Sequence, residues 1–242
     1  MNYTFEPIGI LKTCFKEKFG IPRQSGLVTE ALGVLKLRKD PHFKNAVREL
    51  EGFSHVWVIF VFHQQNAKAW KPSIRPPRLG GAKKVGVLAS RSPHRPNPIG
   101  LSVVKLEKID LDAPGGIEIT FSGVDILDGT PVLDIKPYLA YADSIPRATS
   151  GWAGEAIART EVELSPAAVQ FMESVDCVQY PRLRELILEM IELDPRPASQ
   201  KRKAPTDHPD SEGTYYGIQI LDFDVRWKIQ KGRFYIYEII RL

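Results

Sequence analysis

Residues 90–102 read Ser-Arg-Ser-Pro-His-Arg-Pro-Asn-Pro-Ile-Gly-Leu-Ser. Arg91 and Arg95 offer planar guanidinium forks that match a carboxylate or a phosphate, and His94 can take or give a proton. Pro93, Pro96 and Pro98 fix their own φ angles and push the preceding residues toward extended geometry. A strap stiffened in this way loses little entropy when it closes on an anionic ligand. The plainer reading is a solvated basic turn between strands; the density of proline and arginine favours a binding strap.

Three further constellations carry polar chemistry. His63-Gln64-Gln65 ends an apolar run. It reads either as a strand-end histidine satisfied by backbone or as polar groups at a barrel mouth, where ligands commonly sit. In the stretch Ser122 to Tyr138, Asp128 suits a turn and Asp125 can hydrogen-bond a ligand amino group. Asp134 lies inside an apolar strand and needs a partner or a task. Strand alternation puts it on one face with Lys136. The fourth constellation, Asp194-Pro195-Arg196-Pro197, is a good helix stop; its second reading makes Arg196 a ligand of RNA phosphate.

Other chemistry is missing from the 242 residues. There is no Gly-x-Gly-x-x-Gly after a strand, no P-loop, no Gly-x-Ser-x-Gly and no His-Glu-x-x-His. Two cysteines, Cys14 and Cys177, and five histidines without paired spacing argue against a metal site. The expected setting is a reducing cytosol, with neither a signal peptide nor a membrane span. The net charge of +4 is unevenly placed. Lys68, Lys71, Arg75, Arg78, Lys83, Lys84, Arg91 and Arg95 fall within 68–95, where no Asp or Glu occurs, so an anionic partner such as nucleic acid is expected.

The elements that must position these groups are mostly strands. Residues 5–12, 33–38, 54–63, 85–89, 99–109, 116–124 and 131–138 read as strands, with 54–63 buried on both faces. Asp128-Gly129 reads as the hairpin turn between the last two. Asp40-Pro41 opens a helix with Phe43, Val47 and Leu50 as its apolar stripe. Beyond residue 147 come helices at 165–173 and 181–192, a polar stretch at 199–213 that is partly mobile, and strands at 215–221, 224–229 and 233–240. The expected fold is mainly β: an antiparallel β-barrel over 1–147 and a smaller α+β domain over 148–242.

In order along the chain stand Pro-Arg-Gln-x-Gly-Leu (22–27), Phe-Ser-His-x-Trp (53–57), Phe-His-Gln (62–64), Arg-Pro-Pro-Arg-Leu-Gly-Gly (75–81), the strap (91–100), Asp-Gly-Thr-Pro-Val-Leu-Asp-Ile-Lys-Pro-Tyr (128–138) and Asp-Pro-Arg-Pro (194–197). Together they resemble the TrmO, or TsaA-like, family of tRNA methyltransferases, and the second half looks like that of bacterial members. The resemblance implies a β-barrel homodimer. It implies methyl transfer from S-adenosylmethionine to N6 of threonylcarbamoyladenosine, 3′ of the anticodon in threonine tRNA. By position, Gln24, Ser25, Gly26, His63, Gln64, Gln65, Arg91 and Leu101 are expected at the cofactor. Ser122, Gly123, Val124 and Asp125 are expected to hold its adenosyl part through backbone groups.

The carbamoyl group makes N6 a poor nucleophile until its proton leaves. Asp134, His94 or a water is expected to take that proton. Arg91 or Arg95 would meet the threonyl carboxylate, and the basic loop at 68–84 the phosphates of the anticodon arm. The C-terminal domain is expected to help hold tRNA. A nucleotide- or RNA-binding module without catalysis, or a methyltransferase with another substrate, would share much of this pattern.

Overall fold

Every second residue of the first-half strands is apolar, and closing those faces on one another gives a barrel. The chain was obtained as a computed structural model, which describes residues 3–65 and 70–242; Lys68 lies outside them. The first half holds β1 (Gly9–Thr13), β2 (Gly33–Leu37), β3 (His55–Val61), β4 (Ser73–Ile74), β5 (Val85–Gly86), β6 (Ile99–Asp110), β7 (Glu118–Ser122) and β8 (Thr130–Pro137). Six of them close in the order β1-β2-β7-β6-β3-β8, all antiparallel. Leu11, Leu35, Val58, Phe60, Val104, Ile119, Phe121 and Val132 fill the interior. A Cβ on Gly100 would stand 2.2 Å from the Phe60 ring, so only glycine lets that ring lie against β6.

The pairing registers decide what this barrel can do. Thr13 faces Gly33, Gly33 faces Phe121, Leu11 faces Thr130 and Val61 faces Ile99. The ends of β1, β3 and β7 and the starts of β2, β6 and β8 therefore meet at one end. The connections 14–32, 62–98 and 123–129 all leave from that end, and they carry most of the residues singled out for chemistry.

Four expectations about elements change. β3 is buried on one face only: Val56, Val58 and Phe60 point inward, while Trp57, Ile59 and Val61 face outward and half-buried. An apolar outer wall and a second core read alike in sequence. Asp128-Gly129 is not a hairpin turn, because β7 pairs with β2 and β6, and β8 with β1 and β3. The turn docks on β1 instead: the Thr13 N–H donates to Asp128 Oδ1 at 2.8 Å and the Gly129 N–H to the Leu11 carbonyl at 2.9 Å. The helix after Pro41 shrinks to α1 (Phe43–Ala46), and Glu49 takes a left-handed φ of 65°. Only Val85–Gly86 of 85–89 is strand, and Val87–Ala89 is a 3-10 turn.

Beyond α2 (Ala140–Asp143), the second half holds β9 (Val162–Leu164), α3 (Pro166–Ser174), α4 (Leu183–Glu192), α5 (Ala198–Lys203), β10 (Tyr215–Ile220), β11 (Phe223–Gln230) and β12 (Arg233–Arg241). The sheet order is β10-β11-β12-β9, with the short β9 parallel to β12. Ser165 caps α3, its Oγ accepting from the Ala168 N–H at 3.1 Å, and Pro166 sits at the first helical position. Leu183, Leu186, Ile187, Met190 and Ile191 bury the apolar face of α4. Around α4, Arg182 and Glu189 reach across to Glu30 and Thr29 on the barrel's 14–32 connection, tying the two halves together. Residues 199–213 form most of α5 and a 3-10 turn at Pro209–Ser211.

Candidate active site

The shared barrel end brings Gln24, Ser25, Gly26, Arg91, Gly123 and Asp125 together from three connections. Gly26, with φ +75°, donates its N–H to the Gly123 carbonyl at 2.8 Å. A Cβ on Gly123 would stand 3.3 Å from Gly26 Cα, so the two backbones need that glycine to lie this close. Arg91 Nη1 donates to Gln24 Oε1. Ser102 Oγ, reaching over from β6, donates to Asp125 Oδ1 at 2.6 Å. Burial pushes the Asp125 carboxyl above its usual range, against the Ser102 bond, the Arg91 charge and the Ser25 N–H. The neighbours of that run point away. Val124 is buried in the core, leaving its backbone alone to meet a ligand. Ser122 Oγ donates to Glu107 Oε1 at 2.6 Å.

His63, Gln64 and Gln65 stand at the same end, on the β3–β8 side. The exposed His63 has Nδ1 3.3 Å from Thr130 Oγ1. The Gln64 carbonyl accepts from Lys18 Nζ at 3.2 Å, and the Gln65 N–H donates to the Phe62 carbonyl at 3.0 Å.

The strap borders a cleft of about 1180 Å³, larger than the roughly 300–1,000 Å³ of a small-molecule pocket. Arg23, Lys71, Arg75, Arg78, Lys84 and Arg91 line it with His94, and no carboxylate does. None of these six cations takes part in an ion pair among the described residues. Burial of its guanidinium draws Arg23 below the ordinary arginine range, the Arg78 charge adds to that, and Asp194 opposes it. Arg95 does not line the cleft. Its Nη1 folds back onto the Ser90 carbonyl at 3.1 Å, so an internal arginine staple adds to the prolines in shaping the strap.

Two expected residues stand on the outer wall instead. Leu101 is 50% exposed, and Ile59 separates it from Asp134 in the strand register. Asp134 ion-pairs with Lys136 at 2.9 Å, as alternation implied. Arg196 is also placed apart, and its phosphate-ligand reading fails: it is 1% exposed and enclosed by protein acceptors and rings.

Trp152 was not anticipated. It lines the cleft from the interdomain segment, its Nε1 donating to the Ala89 carbonyl at 2.9 Å, and nothing in its local sequence signals that. Burial pushes the Cys14 thiol up to about 12, which disqualifies it as a nucleophile. No cluster of His, Cys, Asp or Glu able to hold a metal ion occurs among the described residues, and none of their helices is long and apolar enough to cross a membrane.

Comparison with known proteins bears on this arrangement. Residues 10–144 match the model of the tRNA-methyltransferase O N-terminal domain, and residues 157–242 that of the TrmO C-terminal domain. The chain is 40% identical over 238 residues to the tRNA (adenine(37)-N6)-methyltransferase of Escherichia coli K12, covering 98% of each. It is 42% identical over 228 residues to a putative S-adenosylmethionine-dependent methyltransferase of Pseudomonas aeruginosa, covering 94% of this chain and 93% of that one. The crystal structure of TrmO from Pseudomonas aeruginosa superposes with a TM-score of 0.78 at 36% identity, covering 99% of both chains. With both domain models matched in order and the fold shared end to end, the chain belongs to the TrmO family of tRNA methyltransferases.

Proposed function

We propose that this chain transfers the methyl group of S-adenosylmethionine to N6 of threonylcarbamoyladenosine, next to the anticodon of threonine tRNA. The observation that carries this reading is a carboxylate-free cleft with six unpaired cations beside the Gln24–Arg91–Asp125 cluster. A cleft so charged suits a polyanion, and its size leaves room for a nucleotide and a cofactor together.

The residues of the cluster fit that cofactor. Asp125 accepts from a hydroxyl or amino group. Arg91 spends one nitrogen on Gln24 and keeps donors for a carboxylate. Gly26 has open space where a Cβ would stand, a floor on which a ring can lie. S-adenosylmethionine supplies an electrophilic methyl on a sulfonium; the protein's part is alignment and proton removal. Of the side chains expected to take the N6 proton, His94 lines the cleft and Asp134 does not. His94 is therefore the base of this reading. Arg95 acts as the strap's staple. Lys71, Arg75, Arg78 and Lys84 receive phosphates of the anticodon arm, and the C-terminal domain meets the loop carrying Arg78 through Arg202, which donates to the Gly80 carbonyl.

A homodimer is part of the proposal. Ile59, Ile99 and Leu101 form an outward apolar wall, with Ile99 41% and Leu101 50% exposed. A second copy on that wall would set Leu101 and Asp134 at the subunit boundary. A reducing cytosol suits both the two free cysteines and the tRNA substrate.

The test is incubation with S-adenosylmethionine and threonine tRNA, with and without the threonylcarbamoyl group, followed by digestion to nucleosides and mass analysis. Methyl gain on the threonylcarbamoyl nucleoside is expected. Methyl on unmodified adenosine, or on neither, refutes the assignment. Light scattering at the assay concentration reads the dimer; a monomeric mass rejects it.

A further inference from the structure

We infer that the Asp194–Pro195–Arg196–Pro197 turn touches no RNA and, with α5, clamps the two barrel-domain loops that carry Arg23 and Arg78 into the cleft. The inference rests on reading that cleft as the substrate site.

Arg196 makes the anchor. All five of its N–H donors are used. Nε and Nη2 donate to the two oxygens of Asp194 at 2.7 and 2.9 Å, and Nη2 also to Thr206 Oγ1 at 2.8 Å. Nη1 donates to the Ala204 carbonyl at 2.8 Å and to the Tyr216 hydroxyl at 3.2 Å. The rings of Tyr216 and Phe234 stand 5.1 and 5.0 Å from its guanidinium carbon. No donor is left for a phosphate, so this arginine acts within the protein. Its bonds to Asp194, Ala204 and Thr206 span α5 from both ends and fix it against β10 and β12.

From that anchor two arms reach the barrel domain. Arg202 Nη1 donates to the Gly80 carbonyl, and a Cβ on Gly81 would stand 3.2 Å from the same nitrogen. Arg78 is two residues before Gly80. On the other side Pro195 packs on the 20–26 loop: a Cβ on Gly20 would lie 3.7 Å from Pro195 Cβ. Arg23 is three residues beyond Gly20, and the Asp194 charge favours its charged form. Arg23 and Arg78 repel each other, and loops left to themselves would drift apart. Holding them together in the free protein removes part of the ordering cost of RNA binding.

The decisive experiment uses Arg202→Ala, an exposed position, in the full-length protein. Michaelis constants for threonylcarbamoylated tRNA are measured for Arg202→Ala, Arg78→Ala and the double variant. The expected result is a roughly tenfold rise in KM for Arg202→Ala with kcat and cofactor affinity kept. In the Arg78→Ala background the same change should add less than about twofold, because both act through one loop. Additive losses would make Arg202 a direct RNA contact and overturn the clamp. Hydrogen exchange on the RNA-free protein supplies a second reading: the amides of 76–82 should exchange faster in Arg202→Ala, and unchanged exchange overturns the inference. If the wild type methylates nothing while exchange still rises in the variant, the substrate reading falls and the clamp stands.

Discussion

Replacing Arg196 by methionine should destabilise the protein strongly while leaving its electrostatics toward RNA intact. The side chain is 1% exposed and its partner Asp194 13%. Removing one member of a buried ion pair costs about 3–5 kcal/mol, because the other charge stays behind without compensation. Here Lys201 Nζ remains 3.1 Å from Asp194 and shields part of that charge, which favours the low end. Methionine fills most of the space between the Tyr216 and Phe234 rings, so little cavity cost is added. The expected loss is about 3 kcal/mol, or roughly 6–12 °C in Tm for a chain of this length. Urea unfolding followed by tryptophan fluorescence can read it. Trp227 stacks on Tyr216 at 5.7 Å and meets Phe234 edge-on at 6.3 Å, the same two rings that flank the guanidinium.

Two controls separate causes. Asp194→Asn added to Arg196→Met removes the stranded charge, and should recover about 1 kcal/mol or more of the loss. Lowering the pH should do the same by another route. Burial works against the Asp194 charge, but the Arg196 bonds and the Lys201 charge more than offset it and hold the carboxyl below its ordinary 3.8. The pair's stabilisation is therefore full above that value and fades as pH falls through the lower folded value. The gap between wild type and Arg196→Met should narrow over that window. A variant with unchanged Tm and a shallower salt dependence of tRNA binding would refute the reasoning and restore Arg196 as a phosphate ligand.

Other outcomes follow from the same geometry. Arg23→Ala and Arg78→Ala should each reduce the slope of log affinity for tRNA against log salt by about 0.7–0.9, read by filter binding across a salt series; an unchanged slope removes that residue from the phosphate path. His94→Ala should lower turnover roughly a hundredfold or more with Tm kept, whereas Asp134→Asn should leave turnover in place, since its exposed pair with Lys136 is worth at most about 1 kcal/mol; the reverse pattern moves the proton acceptor to the outer wall. Gly20→Ala puts a Cβ 1.9 Å from Ile218 Cδ1 at φ +81°, so calorimetry should show a loss of about 1–3 kcal/mol. Asp125 binds its proton more tightly folded than unfolded. The stability of wild type relative to Asp125→Asn should therefore fall as pH rises from 3.8 through the raised folded value, and a flat difference would place Asp125 in water.

What the sequence revealed depended on how far apart the interacting groups stand. The pairing of Asp134 with Lys136 was legible because two residues along a strand return to the same face. The strap was legible because proline stiffness is local. Asp128 was read correctly as a turn former but given the wrong turn, because its partner Thr13 lies 115 positions away. β9 escaped notice because three residues hold too little alternation to register. The helix stop at 194–197 held, while the second reading, Arg196 as a phosphate ligand, failed for a different reason. Arginine in a proline turn normally meets solvent, and its burial depends on Asp194, Thr206, Tyr216 and Phe234 all arriving at one point. Trp152 gave no signal, since its partner is a backbone carbonyl and carries no residue identity.

The cations of the barrel strands and those of the cleft differ in their partners. Along the barrel strands lysines stand beside carboxylates, as Lys36 does with Glu118 and Lys136 with Asp134, and on the C-terminal sheet Arg226 bridges Asp224 and Glu238. Such exposed pairs add little stability, but they cancel the field locally. In the cleft no lining carboxylate cancels it. Arg23 and Arg78 repel each other with neither in an ion pair among the described residues; the nearby Asp194 charge offsets part of this cost, and a polyanion would relieve the rest. A net charge of +4 spread evenly would attract RNA to any face. On the proposed function, gathering six cations in one cleft favours RNA at the end of the barrel where Gln24, Arg91 and Asp125 meet. The carboxylates beside the barrel lysines add to the selectivity that the crowding of arginines in the cleft would set.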